Sequence, residues 1–482
     1  MTLKEKTFEF KDKVMVIIKE NLSVLIIVLF LGLFGVISLI ILSANFHFGR
    51  MFLFSGLFII TFVLVANYHE KQLTIILVAA SIALLLATVF FEGFLWEMVI
   101  VNFVEWEVLA VVFGMSMLVG ATTKTGIFDW LIIITLRISK GRIFPLYILT
   151  FLVTFSLSTV LANVTAMLLI SAMILTVCTG LDYDPTPFLM TAVLATALAG
   201  MTTLVSSLPS IMVGTAAGIG FLEFLIISLP FVLVCIPICI FYIKWFYPPE
   251  KVTSDTTTQT IDLNLLNPWD VIEDRRAFNF AAVSLIITVI GFTITKFLGI
   301  PIGVMAILCG ILSIVLTGIS EQELIPNMNW DTLLFFAGLF VLVGTLEQTE
   351  VLLDIAGVLL DISQGDLFFA GFLILIIATV VSGVLDNIPV TATLIPIVLE
   401  LNRDHVATNP FYLWFVLVFS GALGGGWTPF GSASGILAIS ILSKEGRPVS
   451  FKEYMKCFIP ISVFLALLGD VYLSILAIIG LV

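Results

Sequence analysis

Apolar runs long enough to cross a lipid bilayer recur along the whole sequence. A run of about 20 apolar residues is typical of a transmembrane helix, because a helix satisfies its backbone hydrogen bonds within one segment. Such runs lie at 22–42, 51–67, 73–91, 107–123, 221–243, 279–298, 300–319, 331–346 and 458–481. The sequence therefore predicts an all-α polytopic membrane protein that has the lipid bilayer as its surroundings.

The composition excludes several other classes of protein. Apolar residues make up 60% of the 482 residues, and charged residues make up 11%. An ordinary soluble domain is about 45–50% apolar and about 25% charged. A soluble enzyme, a disordered scaffold and a nucleic-acid-binding protein are therefore excluded.

Four further apolar runs are interrupted near their middles by polar residues, glycine or proline. They lie at 145–179, 188–219, 368–399 and 411–442. We interpret the first and third as re-entrant hairpins with tips near Asn163 and Asn387, and the second and fourth as broken helices. This layout has about 11 transmembrane helices. If both hairpins crossed the bilayer completely, the orientation of the chain would be the same.

The distribution of basic residues indicates that orientation. Of the 21 Lys and Arg residues, 18 fall in segments on one side of the membrane. Basic residues concentrate in cytoplasmic segments, so we expect a cytoplasmic N-terminus and a location in the cytoplasmic membrane. The stretch 128–142 is basic and amphipathic, which favours a helix that lies at the membrane surface.

Two halves of the sequence repeat one another at a nearly constant offset. Trp106 and Trp330 are 224 positions apart, as are Asn163 and Asn387, and the broken helices match at an offset of 225. An odd number of predicted crossings separates matched positions, so the two repeats should have opposite orientations. Inverted repeats with interrupted helices are typical of secondary transporters.

The repeat divides the chain into four segments. Residues 1–50 hold a cytoplasmic N-terminal segment and an extra transmembrane helix, and 51–246 form the first transporter repeat. Residues 247–278 are a polar cytoplasmic linker, and 279–482 form the second, inverted repeat.

The matched motifs resemble those of the ion transporter superfamily, in the citrate-transporter-like branch that contains arsenite pumps, the P protein and D-type sodium/proton antiporters. Members of that branch carry Asp-Asn at each hairpin tip and Gly-Gly-x-x-Thr in each broken helix. Here the tips read Ala162-Asn163 and Asp386-Asn387, and the broken helices carry the related stretches 199–203 and 424–428. The resemblance covers about residues 51–482, and it implies a homodimer.

The sequence also departs from the pattern of that branch. Ala162 replaces the first aspartate, and the stretch 206–210 reads Ser-Ser-Leu-Pro-Ser in place of Gly-Asp-Pro-Pro-Asn. Gly426 and Gly435 stand where asparagine is frequent. About half of the carboxylate and amide side chains of the branch are therefore missing, which affects the expected substrate more than the expected fold.

Asp386 is the most informative single residue. It lies between two apolar runs, and apart from Lys296, near the end of the span 279–298, no Lys or Arg occurs within a predicted span. A bare carboxylate at membrane depth is costly, so Asp386 should be protonated, bound to a cation or exposed to water. A cap on a helix N-terminus is the structural alternative.

The other candidate site residues are amides, hydroxyls and glycines in matched positions. Asparagine side chains can coordinate a cation or donate to an anion, and glycine lets the backbone approach a ligand. The predicted substrate or ion site consists of Ser158, Asn163, Thr165, Gly200, Thr203, Ser207, Ser382, Asp386, Asn387, Gly425, Thr428 and Ser432. Asp386 and Asn387 are the candidate ligands for Na⁺.

These features predict an ion-coupled secondary active transporter that works by elevator-type alternating access. We expect a small inorganic or organic anion or oxyacid as substrate, Na⁺ or H⁺ as the coupling ion, and no other cofactor. A sodium/proton antiporter is the main alternative. An intramembrane hydrolase is disfavoured, because the sequence lacks the zinc-protease and serine-hydrolase motifs, so we expect no enzyme.

Overall fold

Helices make up all the regular structure of the part of the chain that the structure describes. The computed structural model describes residues 46–68, 71–91, 93–161, 163–248, 267–403 and 411–482. The predicted helix at 22–42, Ala162 and most of the polar linker lie outside the described residues. Within the described residues no β-strand occurs, and the predicted all-α fold class is confirmed.

Within the described residues, two series of nine helices of ten or more residues follow one another, with a few shorter helical turns between them. The first series is α1 (Phe46–Asn67), α2 (Gln72–Phe90), α3 (Trp106–Thr123), α4 (Ile127–Ser139), α5 (Ile143–Ser158), α6 (Asn163–Leu181), α7 (Pro185–Gly200), α8 (Leu208–Ala217) and α9 (Phe221–Phe246). The second is α10 (Arg275–Leu298), α11 (Ile302–Thr317), α12 (Trp330–Glu347), α13 (Val351–Ser363), α14 (Leu367–Val384), α15 (Asn387–Leu401), α16 (Tyr412–Gly424), α17 (Ala433–Lys444) and α18 (Phe451–Ile478).

The helix boundaries of the two series correspond. The helices α3, α4, α5 and α6 begin 224 positions before α12, α13, α14 and α15. Among the described helices, nine are long and apolar enough to cross a membrane, and seven shorter apolar helices accompany them. Many of these shorter helices are halves of the predicted hairpins and broken helices, which the structure therefore contains.

Six helices, α1–α3 and α10–α12, form what we name the scaffold bundle. In it α3 packs on α11 and α12 packs on α2, so each repeat packs against the other. Both crossings depend on a missing side chain. A Cβ on Gly114 would lie 2.2 Å from the backbone carbon of Ala306, and a Cβ on Gly338 would lie 2.6 Å from Cγ2 of Ile76. Small residues allow such close approach of helices in membranes.

The helices α5–α9 and α14–α18 form a second unit, the hairpin bundle. The helices α5 and α6 form the first hairpin, and α14 and α15 form the second. The helices α7 and α8 are separated by the non-helical residues 201–207, and α16 and α17 by the stretch 425–432 with one 3₁₀ turn. Here α8 packs on α15 and α17 packs on α6, so each broken helix meets the hairpin of the other repeat.

Two amphipathic helices join the bundles. The helix α4 connects α3 of the scaffold bundle to α5, and α13 connects α12 to α14 in the same way. The helix α4 begins at Ile127, one residue before the stretch predicted to lie at the membrane surface, and ends at Ser139, within that stretch. Each of these two helices packs along the hairpin that follows it.

Candidate functional site

Four helices begin at one place in the hairpin bundle. The helix α6 begins at Asn163 and α15 begins at Asn387, at the tips of the two hairpins. The helices α8 and α17 begin after the breaks, with Ser207 and Ser432 as their N-terminal capping residues. All four of these residues line the same two adjoining cavities.

The two cavities differ in size. The tip pocket has a volume of about 20 Å³ and is lined by the two asparagines, Gly200, Gly426 and Ser462, among others. This volume is sufficient for one water molecule or a comparable ion. The larger cavity, which we name the crevice, has a volume of about 350 Å³ and lies between the hairpin bundle and the scaffold bundle.

Hydroxyl groups hold the break of the first repeat in place. The carbonyl of Gly200, at the end of α7, accepts hydrogen bonds from Ser206 Oγ at 3.1 Å, Ser207 Oγ at 2.8 Å and Ser210 Oγ at 2.7 Å. Carbonyls at a helix end lack partners within the helix, and these donors supply them. The hydroxyl of Thr203 donates to the carbonyl of Thr159 at 2.9 Å, which fixes the break to the first hairpin.

The second repeat uses different contacts at the equivalent places. The hydroxyl of Ser382 donates to the carbonyl of Gly421 at 2.8 Å, and Thr428 Oγ1 accepts from the backbone N–H of Gly431 at 3.2 Å. A Cβ on Gly425 would lie 2.8 Å from the carbonyl oxygen of Gly431. The break of the second repeat therefore requires glycine at this position.

Asp386 caps the second hairpin and also faces the crevice. Its Oδ1 accepts a hydrogen bond from the backbone N–H of Ile388 at 3.2 Å. The equivalent position of the first hairpin, Ala162, lies outside the described residues. Oδ1 of Asn163 is buried and has no hydrogen-bond partner among the described residues, so it remains available to a ligand.

Most of the predicted site residues meet at the two cavities, but five do not line them. The residues that line at least one cavity are Asn163, Thr165, Gly200, Ser207, Asp386, Asn387 and Ser432. Ser158, Thr203, Ser382, Gly425 and Thr428 lie behind the cavity walls, where the last four hold the breaks and tips in position. The hydroxyl of Ser158 is buried and has no hydrogen-bond partner among the described residues.

Some lining residues were not identified from the sequence. Ser434 and Ser462 belong to the hairpin bundle and line the tip pocket. Gln72, Asn329 and Thr332 belong to the scaffold bundle and line the crevice. The sequence held a signal for Ser434, because it lies two residues after the predicted site residue Ser432 at the start of α17. The polar residues where α2 and α12 begin look like ordinary loop residues.

The electrostatics of the crevice combine four helix N-termini with one carboxylate. The N-terminus of a helix carries a partial positive charge of about half an elementary charge, and unpaired backbone N–H groups there bind anions. Among the described residues that line the two cavities, none is Lys, Arg or His. In the described part of the chain, no group of three or more His, Cys, Asp or Glu residues could hold a metal ion.

Several known proteins are similar in sequence to this chain. A sequence model of the citrate transporter family matches residues 63–420. An uncharacterized transporter of Mycobacterium tuberculosis is 30% identical over 404 residues, which are 83% of this chain and 92% of that protein. The human P protein is 26% identical in an alignment 457 positions long that covers 78% of this chain and 54% of that protein.

A solved structure shares the fold. The YdaH transporter of Alcanivorax borkumensis, described as having an unusual topology, superposes with a TM-score of 0.57. The match covers 80% of this chain and 88% of that chain at 12% sequence identity.

Proposed function

Because the chain belongs to the citrate transporter family, we propose that it is an ion-coupled secondary active transporter for a small inorganic or organic anion or oxyacid. It is a multi-pass membrane transporter and not an enzyme. By the distribution of its basic residues it belongs in the cytoplasmic membrane with a cytoplasmic N-terminus. The family resemblance adds the proposal of a homodimer.

The convergence of four helix N-termini on one crevice carries the proposal of an anionic substrate. The lining residues Asn163, Asn387, Ser207 and Ser432 each stand at the start of a helix, where backbone dipoles favour negative charge. Citrate and similar multiply charged carboxylates are usually bound by bidentate arginines. Since none of the described lining residues is basic, a singly charged anion or a neutral oxyacid suits the site better.

Asp386 supports a role for a coupling cation. An anion in the crevice would share the cavity with this carboxylate, and two negative charges in one low-dielectric cavity repel each other. A proton or a Na⁺ ion on Asp386 removes that repulsion. Binding of the cation and binding of the anion then favour each other, which is the thermodynamic requirement for coupled transport.

The division into two bundles supports elevator-type alternating access. Both hairpin tips and both breaks belong to the hairpin bundle, so movement of this bundle along the scaffold bundle would carry the site with it. The helices α4 and α13 join the bundles and would act as flexible arms. We propose residues 51–246 and 279–482 as the two inverted repeats, linked on the cytoplasmic side by 247–278.

A sodium/proton antiporter is the second candidate. Asp386 by itself could exchange Na⁺ for H⁺, and Oδ1 of Asn163 is a buried oxygen without a partner among the described residues. The absence of a second carboxylate at Ala162 makes this candidate the weaker of the two.

Transport by the purified protein in liposomes distinguishes the candidates. Na⁺ and pH gradients are imposed separately, and uptake of arsenite, phosphate, sulfate, succinate and citrate is compared with that of empty liposomes. Gradient-dependent uptake of an anion or oxyacid supports the proposal. Exchange of Na⁺ for H⁺ without uptake of any of these solutes would identify the antiporter instead.

A further inference from the structure

The scaffold bundle contributes neutral polar side chains to the crevice. Ser116 lies within α3, Asn329 precedes α12 and Thr332 lies in its first turn, and all three line the cavity. The side chain of Asn329 does not cap α12, although asparagine is a preferred capping residue. Its amide is therefore not committed to the helix that it precedes.

The equivalent positions in the other repeat have a different chemistry. At the offset of 224, Ser116 corresponds to Phe340, Asn329 to Glu105 and Thr332 to Val108. Phe340 and Val108 are buried, at 4% and 0% exposure, whereas Glu105 is exposed. The hydroxyl of Ser116, the amide of Asn329 and the hydroxyl of Thr332 are thus matched by a phenyl ring, a carboxylate and an isopropyl group.

Other acids surround Glu105. Although Glu105 is exposed at the surface, partial desolvation of its carboxyl group, together with the neighbouring carboxylates Glu107 and Glu347, raises the pKa of Glu105 above its ordinary value. Three carboxylates therefore stand at the face of the scaffold bundle where α3 begins.

The crevice opens on the side of the scaffold bundle where α2 and α12 begin, because Gln72, Asn329 and Thr332 line it there. The residues at the matched positions Glu105, Val108, Phe336 and Phe340 do not line it. The distribution of Lys and Arg assigns the accessible face to the cytoplasm. Inverted repeats exchange their roles when a transporter alternates, so the outward-open state should place the site beside Glu105 and Val108.

We propose that the scaffold bundle makes the anion site asymmetric, so that it binds its anion more tightly from the cytoplasm than from outside. Asn329 and Thr332 can donate hydrogen bonds to an anion in the inward-open state, whereas Glu105 repels the anion in the outward-open state. The inference rests on the proposed function, because it requires an anion and alternating access. Such asymmetry favours loading at low cytoplasmic concentration and release outside, as an exporter needs.

The test measures the KM from each face of the membrane for whichever of arsenite, phosphate, sulfate, succinate and citrate the liposome assay shows to be transported. Inside-out and right-side-out membrane vesicles are prepared from cells that express the full chain, and initial rates are measured with the anion on the outer side of the vesicle. We expect the KM at the cytoplasmic face to be the lower one. Asn329→Ala should raise that KM about fivefold, the loss expected for one hydrogen bond, and leave the other KM unchanged.

Two further variants and one control complete the design. Glu105→Gln should lower the KM at the outer face only, and Asn329→Asp should raise the cytoplasmic KM further than Asn329→Ala does. Thr332→Val substitutes for Asn329→Ala if that variant fails to insert. Gln348→Ala removes an exposed amide at the other end of α12, outside the crevice lining, and should change neither KM.

The results separate this inference from the proposed function. Anion transport with equal KM values at the two faces, or an equal effect of Asn329→Ala on both, would overturn the asymmetry and leave the transporter assignment intact. Failure of every tested anion to be transported from either face would overturn both.

Discussion

Replacement of Asp386 by asparagine should uncouple anion transport from its cation. Asp386 lines the crevice, and its Oδ1 accepts a hydrogen bond from the backbone N–H of Ile388 at 3.2 Å. Asparagine caps a helix N-terminus about as well as aspartate does, so the second hairpin should keep its structure. The substitution therefore removes one negative charge from the crevice and changes little else.

The size of the crevice sets the magnitude of the effect. A sphere with the crevice volume of about 350 Å³ has a radius of about 4 Å, which puts the centre of a bound anion roughly 5 Å from Asp386. With an effective dielectric constant of about 20, two negative charges at this distance repel each other by about 3 kcal/mol. This energy corresponds to roughly a hundredfold in Kd.

The assay measures the KM of the anion in proteoliposomes as a function of Na⁺ concentration and pH. In the wild type, added Na⁺ or acid should lower the KM by up to about a hundredfold, because either cation neutralises Asp386. In Asp386→Asn the KM should be low and independent of both. Asp470→Asn is the matched control, since Asp470 accepts a hydrogen bond from the Tyr412 hydroxyl at 3.0 Å and does not line the crevice.

Two results would refute this reasoning. If Asp386→Asn keeps the Na⁺ or pH dependence of the wild type, Asp386 is only a helix cap and the coupling site lies elsewhere. If a correctly inserted Asp386→Asn protein loses anion binding under all conditions, the carboxylate attracts the bound species, and the substrate is a cation.

Three other substitutions test the packing and the site. Gly114→Ala puts a Cβ 2.2 Å from the backbone of α11, so it should lower the free energy of unfolding by about 1–3 kcal/mol and lower the melting temperature in detergent. Gly357→Ala is the control, because its Cβ would have no atom within 4 Å, and it should not lower the melting temperature. Ser207→Ala removes the cap of α8 and should raise the anion KM several-fold, whereas Ser450→Ala, which removes the cap of α18, should leave it unchanged. Glu223→Gln breaks an exposed ion pair with a lysine of α10 and should change stability by about 1 kcal/mol or less, with no effect at high salt; a large loss at high salt would contradict this assignment.

The positions of the helices could be predicted from the sequence, but their packing could not. Hydropathy located the runs at 107–123 and 331–346, which the structure shows as α3 and α12. Residues that face lipid and residues that face another helix are equally apolar, because lipid tails provide no hydrophobic contrast. The packing of α3 on α11 depends on the absence of a side chain at Gly114, and nothing in the sequence pairs Gly114 with Ala306.

The same contrast explains which lining residues the sequence could identify. Asn163 and Asn387 stand out because an amide inside an apolar run is energetically costly and therefore indicates a functional site. The structure brings both residues to the tip pocket. Gln72 and Asn329 stand at helix ends, where polar residues are ordinary. Their position at the crevice follows from the packing of the two bundles, which no local pattern encodes.

The two repeats share the glycines that helix packing requires, but they differ in the charged residue at the site. Gly114 and Gly338 occupy matched positions because each of two helix crossings requires a missing Cβ. Asp386 has no charged counterpart, since the matched residue is Ala162. Two chemically identical inverted repeats would give the inward-open and outward-open states the same energy in a symmetric bilayer. Any preference between these states must then come from residues that differ between the repeats, so the direction and the coupling of transport depend on the mismatched positions.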